Sequence, residues 1–202
     1  MARLAGVVAL AVAGLAFIPT AAAAEPAEPT PATGDWTVDA AQIVAPLAEL
    51  SPRDIAAFCP AYATLSADQK RDFWVDFLSA VALSESGQDA KRSRFHAMDS
   101  DAGRPTFRRG LLQISIESAR RSIYRCDVDN PKALEEPRAN LACGVRILTH
   151  WIESDGVIAS DPAATGPRGG ARYWPTLAKP MSRAGVEGRT AASPACAAAA
   201  PG

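Results

Sequence analysis

The chain has 202 residues, 48% of them hydrophobic, so it can bury one real core but not two sizeable ones. Lys and Arg number 21 against 22 Asp and Glu, for a formal charge of -1, and this balance provides no strong field for nucleic acid or for an anionic membrane surface. The expectation is one globular unit with tails.

The N-terminus carries a positive charge at Arg3, an apolar stretch from Leu4 to Ile18 and small residues from Thr20 to Ala24 before Glu25. This is the pattern of a secretory signal peptide over residues 1–24. Pro19 and the small residues after it interrupt the apolar run before it reaches the ~20 residues of a membrane span, and no later stretch is apolar enough to replace it. Residues 25–35 are rich in Pro, Ala and Thr and read as a flexible tether. The domain is expected to occupy residues 36–178. It opens with a short packing helix between Trp36 and Leu50 that stops at Ser51-Pro52.

The main helix runs from about Ser66 to Ser84. Ser66 and Gln69 form a capping box at its start, and Gly87 is placed to end it. Phe73, Trp74, Phe77, Leu78 and Val81 fall on one stripe, and the next step along that stripe is Glu85. A carboxyl group held against such side chains loses solvation of its charged form. One that keeps its proton can protonate a leaving oxygen, as a general acid must.

Residues from Arg92 to Phe107 lack helical periodicity and are punctuated by Asp99, Asp101, Gly103 and Pro105, which suits an irregular loop or a small hairpin. Basic residues cluster there in Lys91-Arg92-Ser93-Arg94 and in Arg108-Arg109, and solvated loop surface is the first reading of both clusters. A turn over Gly110 to Gln113 feeds a helix from about Ser115 to Tyr124, with Ser115 as N-cap. Another helix is expected from Pro137 to Ser154, stopped by Asp155-Gly156, with Leu141, Val145, Leu148, Trp151 and Ile152 on its apolar stripe. On it, Asn140 and Gly144 stand one turn apart, so the glycine leaves room for close packing or for a sugar ring. A last helix near Gly170 to Leu177 carries Tyr173, and residues 179–202 read as a disordered Ala, Pro and Gly tail.

An exported protein can keep disulfides, which makes Cys59, Cys126, Cys143 and Cys196 legible as a framework. A Cys126–Cys143 bridge would close a short loop and restrain the helix bearing Asn140, contributing about 3 kcal/mol in the chain-entropy model. Cys196 is either free or the partner of Cys59. No paired-cysteine motif and no His-x-x-x-His spacing supports a metal site, since His96 and His150 are far apart in sequence.

Glu85-Ser86-Gly87, then Gly110-Leu111-Leu112-Gln113-Ile114-Ser115, then Asn140-Leu141-Ala142-Cys143-Gly144, then Ala171-Arg172-Tyr173-Trp174, follow one another in order over residues 56–178. The set closely resembles the soluble lytic transglycosylase (SLT) domains of the lysozyme-like superfamily, enzymes that cut the glycan strands of peptidoglycan. The resemblance implies a mainly α (α+β) fold with a small sheet or hairpin region. It implies Glu85 as the catalytic acid and base, Ser86 beside it, and Gln113, Asn140 and Tyr173 as substrate-positioning residues. Peptidoglycan glycan strands would be the partner, with no cofactor. Leu112 stands where the family usually has Met, Gln88-Asp89 where it often has Asn-Pro, and Trp174 where its best-known branches have Asn.

Two other readings remain. A lysozyme-type hydrolase would need a second carboxylate facing Glu85, for which Asp99 and Asp101 are candidates. A non-catalytic glycan-binding module would keep the cleft and lose turnover.

Overall fold

The computed structural model describes residues 39–98, 103–159 and 165–197. The leader, the tether, Asp99 and Asp101 lie outside the described residues. The architecture is mainly helical with one small antiparallel sheet, as the expected α+β class requires.

Helix α4 (Ala67–Ser86) is the axis of the core. Its start is fixed as the sequence predicts: Ser66 Oγ accepts from the Gln69 amide at 3.2 Å while Gln69 Oε1 accepts from the Ser66 amide at 2.9 Å. Two reciprocal bonds satisfy backbone donors that a helix start otherwise leaves open. Its end is Gly87 in the left-handed region, at φ 69°. Between them, Phe73, Trp74, Phe77, Leu78 and Val81 are buried, and so is Glu85. Phe73, Trp74 and Phe77 interlock edge-to-face with Phe58 and Tyr62, with centroids 5.1 to 5.5 Å apart in the tightest pairs, and Trp74 Nε1 donates to the Tyr62 hydroxyl at 2.9 Å. Such geometry adds to burial itself, and it makes this end of α4 rigid.

Around α4 pack short helices α1 (Ala40–Ile43), α2 (Ala45–Ala48) and α3 (Ile55–Phe58). The first two replace the single helix expected before Leu50, because Val44 interrupts the run ahead of Pro46. The sheet has the order β1 (Ser93–His96), β2 (Thr106–Arg109), β3 (Ile114–Ser115), all antiparallel. Of the two forms expected for Arg92 to Phe107, the hairpin is the one present.

Helix α5 (Ile116–Ala119) is a single turn, shorter than the sequence suggests, although Ser115 does cap it by accepting from the Ser118 amide at 3.1 Å. The chain leaves the helix to bury Tyr124, whose hydroxyl accepts from Trp151 Nε1 at 3.1 Å, and to carry Cys126 to Cys143. Helix α6 (Pro137–Asp155) begins and ends where expected, with Gly156 in the left-handed region at φ 71°. Past it, a 3-10 turn at Gly169–Arg172 leads through Tyr173 and Trp174 into α7 (Pro175–Ala178).

The expected disordered tail is corrected over most of its length. Helices α8 (Pro180–Ala191) and α9 (Pro194–Ala197) pack against α4, so the folded domain extends past residue 178 to at least 197. Val186, Thr190, Ala195 and Cys196 are buried, and Cys196 is bonded to Cys59. Few large apolar residues mark this segment, so its composition hides a docking that one valine, small side chains and a disulfide sustain. Cys126 and Cys143 form the second bridge. Among the described residues no helix is long and apolar enough to cross a membrane.

Candidate active site

Glu85 sits in the last turn of α4, where the apolar stripe delivers it to the edge of the core with 6% of its surface exposed. Its Oε1 accepts a hydrogen bond from the backbone amide of Thr176 at 3.4 Å. That amide belongs to the first turn of α7, so the segment from Tyr173 to Thr176 forms one wall beside the carboxyl group. Ser86 is buried too, and its hydroxyl donates to the Ala82 carbonyl at 3.0 Å, back along its own helix.

The turn from Gly110 to Gln113 adjoins that segment. Gly110 has φ 74°, and a side chain there would collide with the Leu134 carbonyl and the Asn140 amide. Asn140 is why the turn has this form. Its Oδ1 accepts from the Leu112 amide at 2.8 Å, and its Nδ2 donates to the carbonyls of Arg109 at 2.9 Å and Leu134 at 2.8 Å. With its amide committed to backbone and its surface fully buried, Asn140 does not offer itself to a sugar. Where the sequence suggests a substrate-binding residue, the structure places a scaffold for the turn. Gly144 likewise leaves room for Leu112, whose Cδ1 a β-carbon would strike, rather than for a ligand.

Gln113 adopts φ 49° and is also fully buried, with Nε2 donating to the carbonyls of Gly110 at 2.9 Å and Arg92 at 3.1 Å. Its Oε1 has no hydrogen-bond partner among the described residues. Tyr173 is buried with its hydroxyl accepting from the Ser115 amide at 3.3 Å, and Trp174 Nε1 donates to the Leu112 carbonyl at 2.9 Å. The Trp174 departure therefore bonds the segment to the turn. The departure at Gln88 has a comparable part: at φ 62° its side chain folds back to donate to Ser79 Oγ at 2.8 Å.

Thus the Tyr173–Thr176 segment links Glu85 to the Gly110–Gln113 turn, and Ser86, Gln113, Asn140 and Tyr173 are all buried. The sequence reading missed Arg108, assigned there to exposed loop surface. Arg108 is 2% exposed, its guanidinium lies 4.9 Å over the Tyr173 ring, and its Nη1 donates to the Tyr173 carbonyl at 3.3 Å. Arg109, by contrast, pairs with Glu135 at 2.7 Å. Strand alternation sends Thr106 and Arg108 inward and Phe107 outward, the reverse of what hydrophobicity suggests. Thr176 was missed for a different reason, since it acts through a backbone amide that any residue type would supply. Among the described residues no group of three or more His, Cys, Asp or Glu side chains could hold a metal ion.

No protein-family model matches the chain, and no curated protein does. Solved structures do. The wild-type form 2 structure of Bd0314 DslA is 32% identical over 80% of this chain and 90% of its own, with a TM-score of 0.70. Two variants of the same protein, each with a glutamate replaced by glutamine, have the same identity and coverage and TM-scores of 0.71 and 0.69.

Proposed function

The chain belongs to the family of Bd0314 DslA, and from that premise and its site we propose that it is an exported, periplasmic peptidoglycan lytic transglycosylase. It cleaves the β-1,4 bond between N-acetylmuramic acid and N-acetylglucosamine and leaves a 1,6-anhydro end. The observation that carries the proposal is Glu85: a buried carboxyl group at the end of an apolar helix, held by the Thr176 amide of the segment that Trp174 ties to the Gly110–Gln113 turn. The resemblance of its surrounding motifs to lytic transglycosylases supplies the chemistry. The two disulfides support export, because thiols stay oxidised outside the cytoplasm.

In this mechanism the protonated Glu85 donates to the glycosidic oxygen as the C1–O4 bond breaks through an oxocarbenium-like transition state. The resulting carboxylate takes the proton of the C6 hydroxyl of the same muramic acid while O6 bonds to C1. The nucleophile is internal, so its effective molarity replaces the capture of a water molecule. The Thr176 amide supports the carboxylate that forms between the two proton transfers, since a backbone N–H stabilises negative charge. No cofactor enters.

The second reading, a lysozyme-type hydrolase, draws support from DslA itself, of which two separate Glu-to-Gln variants are known. Two carboxylates are what a hydrolase of this kind needs. In this chain the second would be Asp99 or Asp101. Glu117 is an acid beside β2, held by the Thr106 hydroxyl and by Arg104 at 3.2 Å.

Mass spectrometry of digested sacculi separates the readings. Anhydro-muropeptides, each one water lighter than a hydrolysis product, are the expected result, and reducing ends alone would replace the transglycosylase by the hydrolase. Glu85→Gln keeps the shape and removes the transferable proton, so lytic rate should fall by about 10²- to 10⁴-fold. Unchanged activity in that variant would defeat both enzyme readings.

A further inference from the structure

On the reading of peptidoglycan as substrate rests a second assignment, and it begins with strand register. Residues directly opposed in an antiparallel pair put their side chains on one face. Arg94 is opposed to Arg108 and His96 to Thr106 across β1 and β2, so these four share a face. At Arg108 that face packs on the segment that reaches Glu85, because Arg108 is buried against Tyr173 and the Thr176 amide of the same segment meets the carboxyl group.

Like charges directly opposed across strands are unfavourable, and Arg94 and Arg108 are so opposed. Three neighbouring cations are matched by acids: Arg109 by Glu135 at 2.7 Å, Lys91 by Glu136 at 3.1 Å and Arg104 by Glu117 at 3.2 Å. Arg94, within β1 and opposed to Arg108, is not. It is exposed on the edge strand of the sheet, and no described carboxylate pairs with it. An unmatched guanidinium on the same face as Arg108, which packs on the segment reaching Glu85, is suited to a carboxylate brought by the substrate, since its planar donors fit a carboxylate bidentately.

We propose that Arg94 is a carboxylate-binding residue of the glycan site, selecting strands whose muramic acid units are anionic. Two sources carry this chemistry: the stem-peptide carboxylates of intact strands and the lactyl carboxylate of strands stripped of peptide. A different role for a charge on an edge strand is to discourage strand-to-strand aggregation, and that role predicts a different result.

The test measures equilibrium binding in the Glu85→Gln background of three probes: peptide-bearing strands, amidase-stripped strands and neutral N-acetylglucosamine oligomers. Arg94→Gln should weaken one or both anionic probes about tenfold, the loss of one charge-assisted contact, and flatten the salt dependence. Binding of the neutral oligomer should not change, and Arg94→Lys should recover part of the loss. Loss confined to peptide-bearing strands assigns the stem peptide, and loss confined to stripped strands assigns the lactyl group. Equal affinities for all probes, a loss shared by the neutral oligomer, or aggregation at unchanged affinity would each overturn the assignment. If the parent protein lacks lytic activity while Arg94→Gln still weakens an anionic probe and spares the neutral oligomer, the enzyme reading falls and this one stands. Failure of the parent protein to bind any strand removes both.

Discussion

The guanidinium of Arg108 lies over the ring of Tyr173 at 4.9 Å and donates to the same residue's carbonyl at 3.3 Å, so a buried cation on the sheet fixes the segment that reaches Glu85. The chain of dependence is short: Arg108 holds Tyr173, Trp174 Nε1 holds the Leu112 carbonyl, and the Thr176 amide meets the carboxyl group.

Arg108→Met keeps much of the side-chain volume and removes both interactions. It leaves the Tyr173 carbonyl without this donor, for a stability loss of about 2 kcal/mol. Because Arg108 works through the Tyr173 segment, the lytic rate constant should fall more than apparent substrate affinity does. Denaturant melts beside steady-state kinetics on sacculi check this. A variant that loses stability but keeps its rate constant would leave Arg108 as a packing residue only.

Asn140 makes three bonds to backbone from one side chain, and the Gly110–Gln113 turn depends on them. Asn140→Asp places a carboxylate oxygen where the Arg109 and Leu134 carbonyls now accept, and Asn140→Leu abandons the Leu112 amide in the core. Either change should destabilise the protein by about 3 kcal/mol or more, since buried polar groups left unpaired cost the most. If a soluble, well-folded Asn140→Leu protein kept native stability but bound glycan weakly, the scaffold role assigned here would be wrong.

Asn140 also shows what could be read before the coordinates. Its importance was visible from its place in a motif, but its role was not, because a buried amide that braces a turn and an exposed amide that binds an acetamido group are the same letter at the same spacing. The helix to Glu85 was legible almost to the residue, since capping chemistry at Ser66 and Gly87 and the stripe from Phe73 to Val81 are local signals. Arg108 was not, because a buried guanidinium between Phe107 and Arg109 inverts the rule that relates polarity to exposure. Helices α8 and α9 escaped because their docking is tied down by the bond from Cys196 in α9 to Cys59, 137 residues earlier, and no local pattern announces so distant a partner.

That bridge has a measurable weight. Closing a loop of this length restricts the unfolded chain by about 5 kcal/mol in the chain-entropy model, near the upper end of what single disulfides contribute. Cys196→Ser should therefore lower the melting temperature more than Cys126→Ser, whose partner Cys143 is only 17 residues away and whose loop is worth about 3 kcal/mol on the same scale. Removing residues 180–202 should expose the face of α4 that α8 and α9 cover and cause aggregation. Melting curves of the two serine variants, with and without reductant, decide the order.

Asp155 sets the acid limit of the arrangement. Its side chain is only 5% exposed and accepts from Arg172 Nε at 2.6 Å, from Arg172 Nη2 at 3.1 Å and from the Gly169 amide at 2.7 Å. The Arg172 hydrogen bond holds the Asp155 carboxyl below the usual carboxylate range; burial opposes this, and the Gly169 amide and the charges of Arg172 and Arg168 reinforce it. A group depressed in the folded state contributes stability that is fully present above its unfolded value, ~3.9, and is lost as pH falls through the folded value. In that interval the unfolded chain binds more protons, so stability rises with pH. Wild-type stability should therefore decline below about pH 4, and Asp155→Asn should show lower stability at neutral pH with a shallower decline in acid. Denaturant titrations from pH 2 to 7 measure both slopes, and parallel curves would reject the linkage. Because the turn that Asp155 fastens, Gly169–Arg172, runs directly into Tyr173, the same variant should lose lytic rate at neutral pH as well.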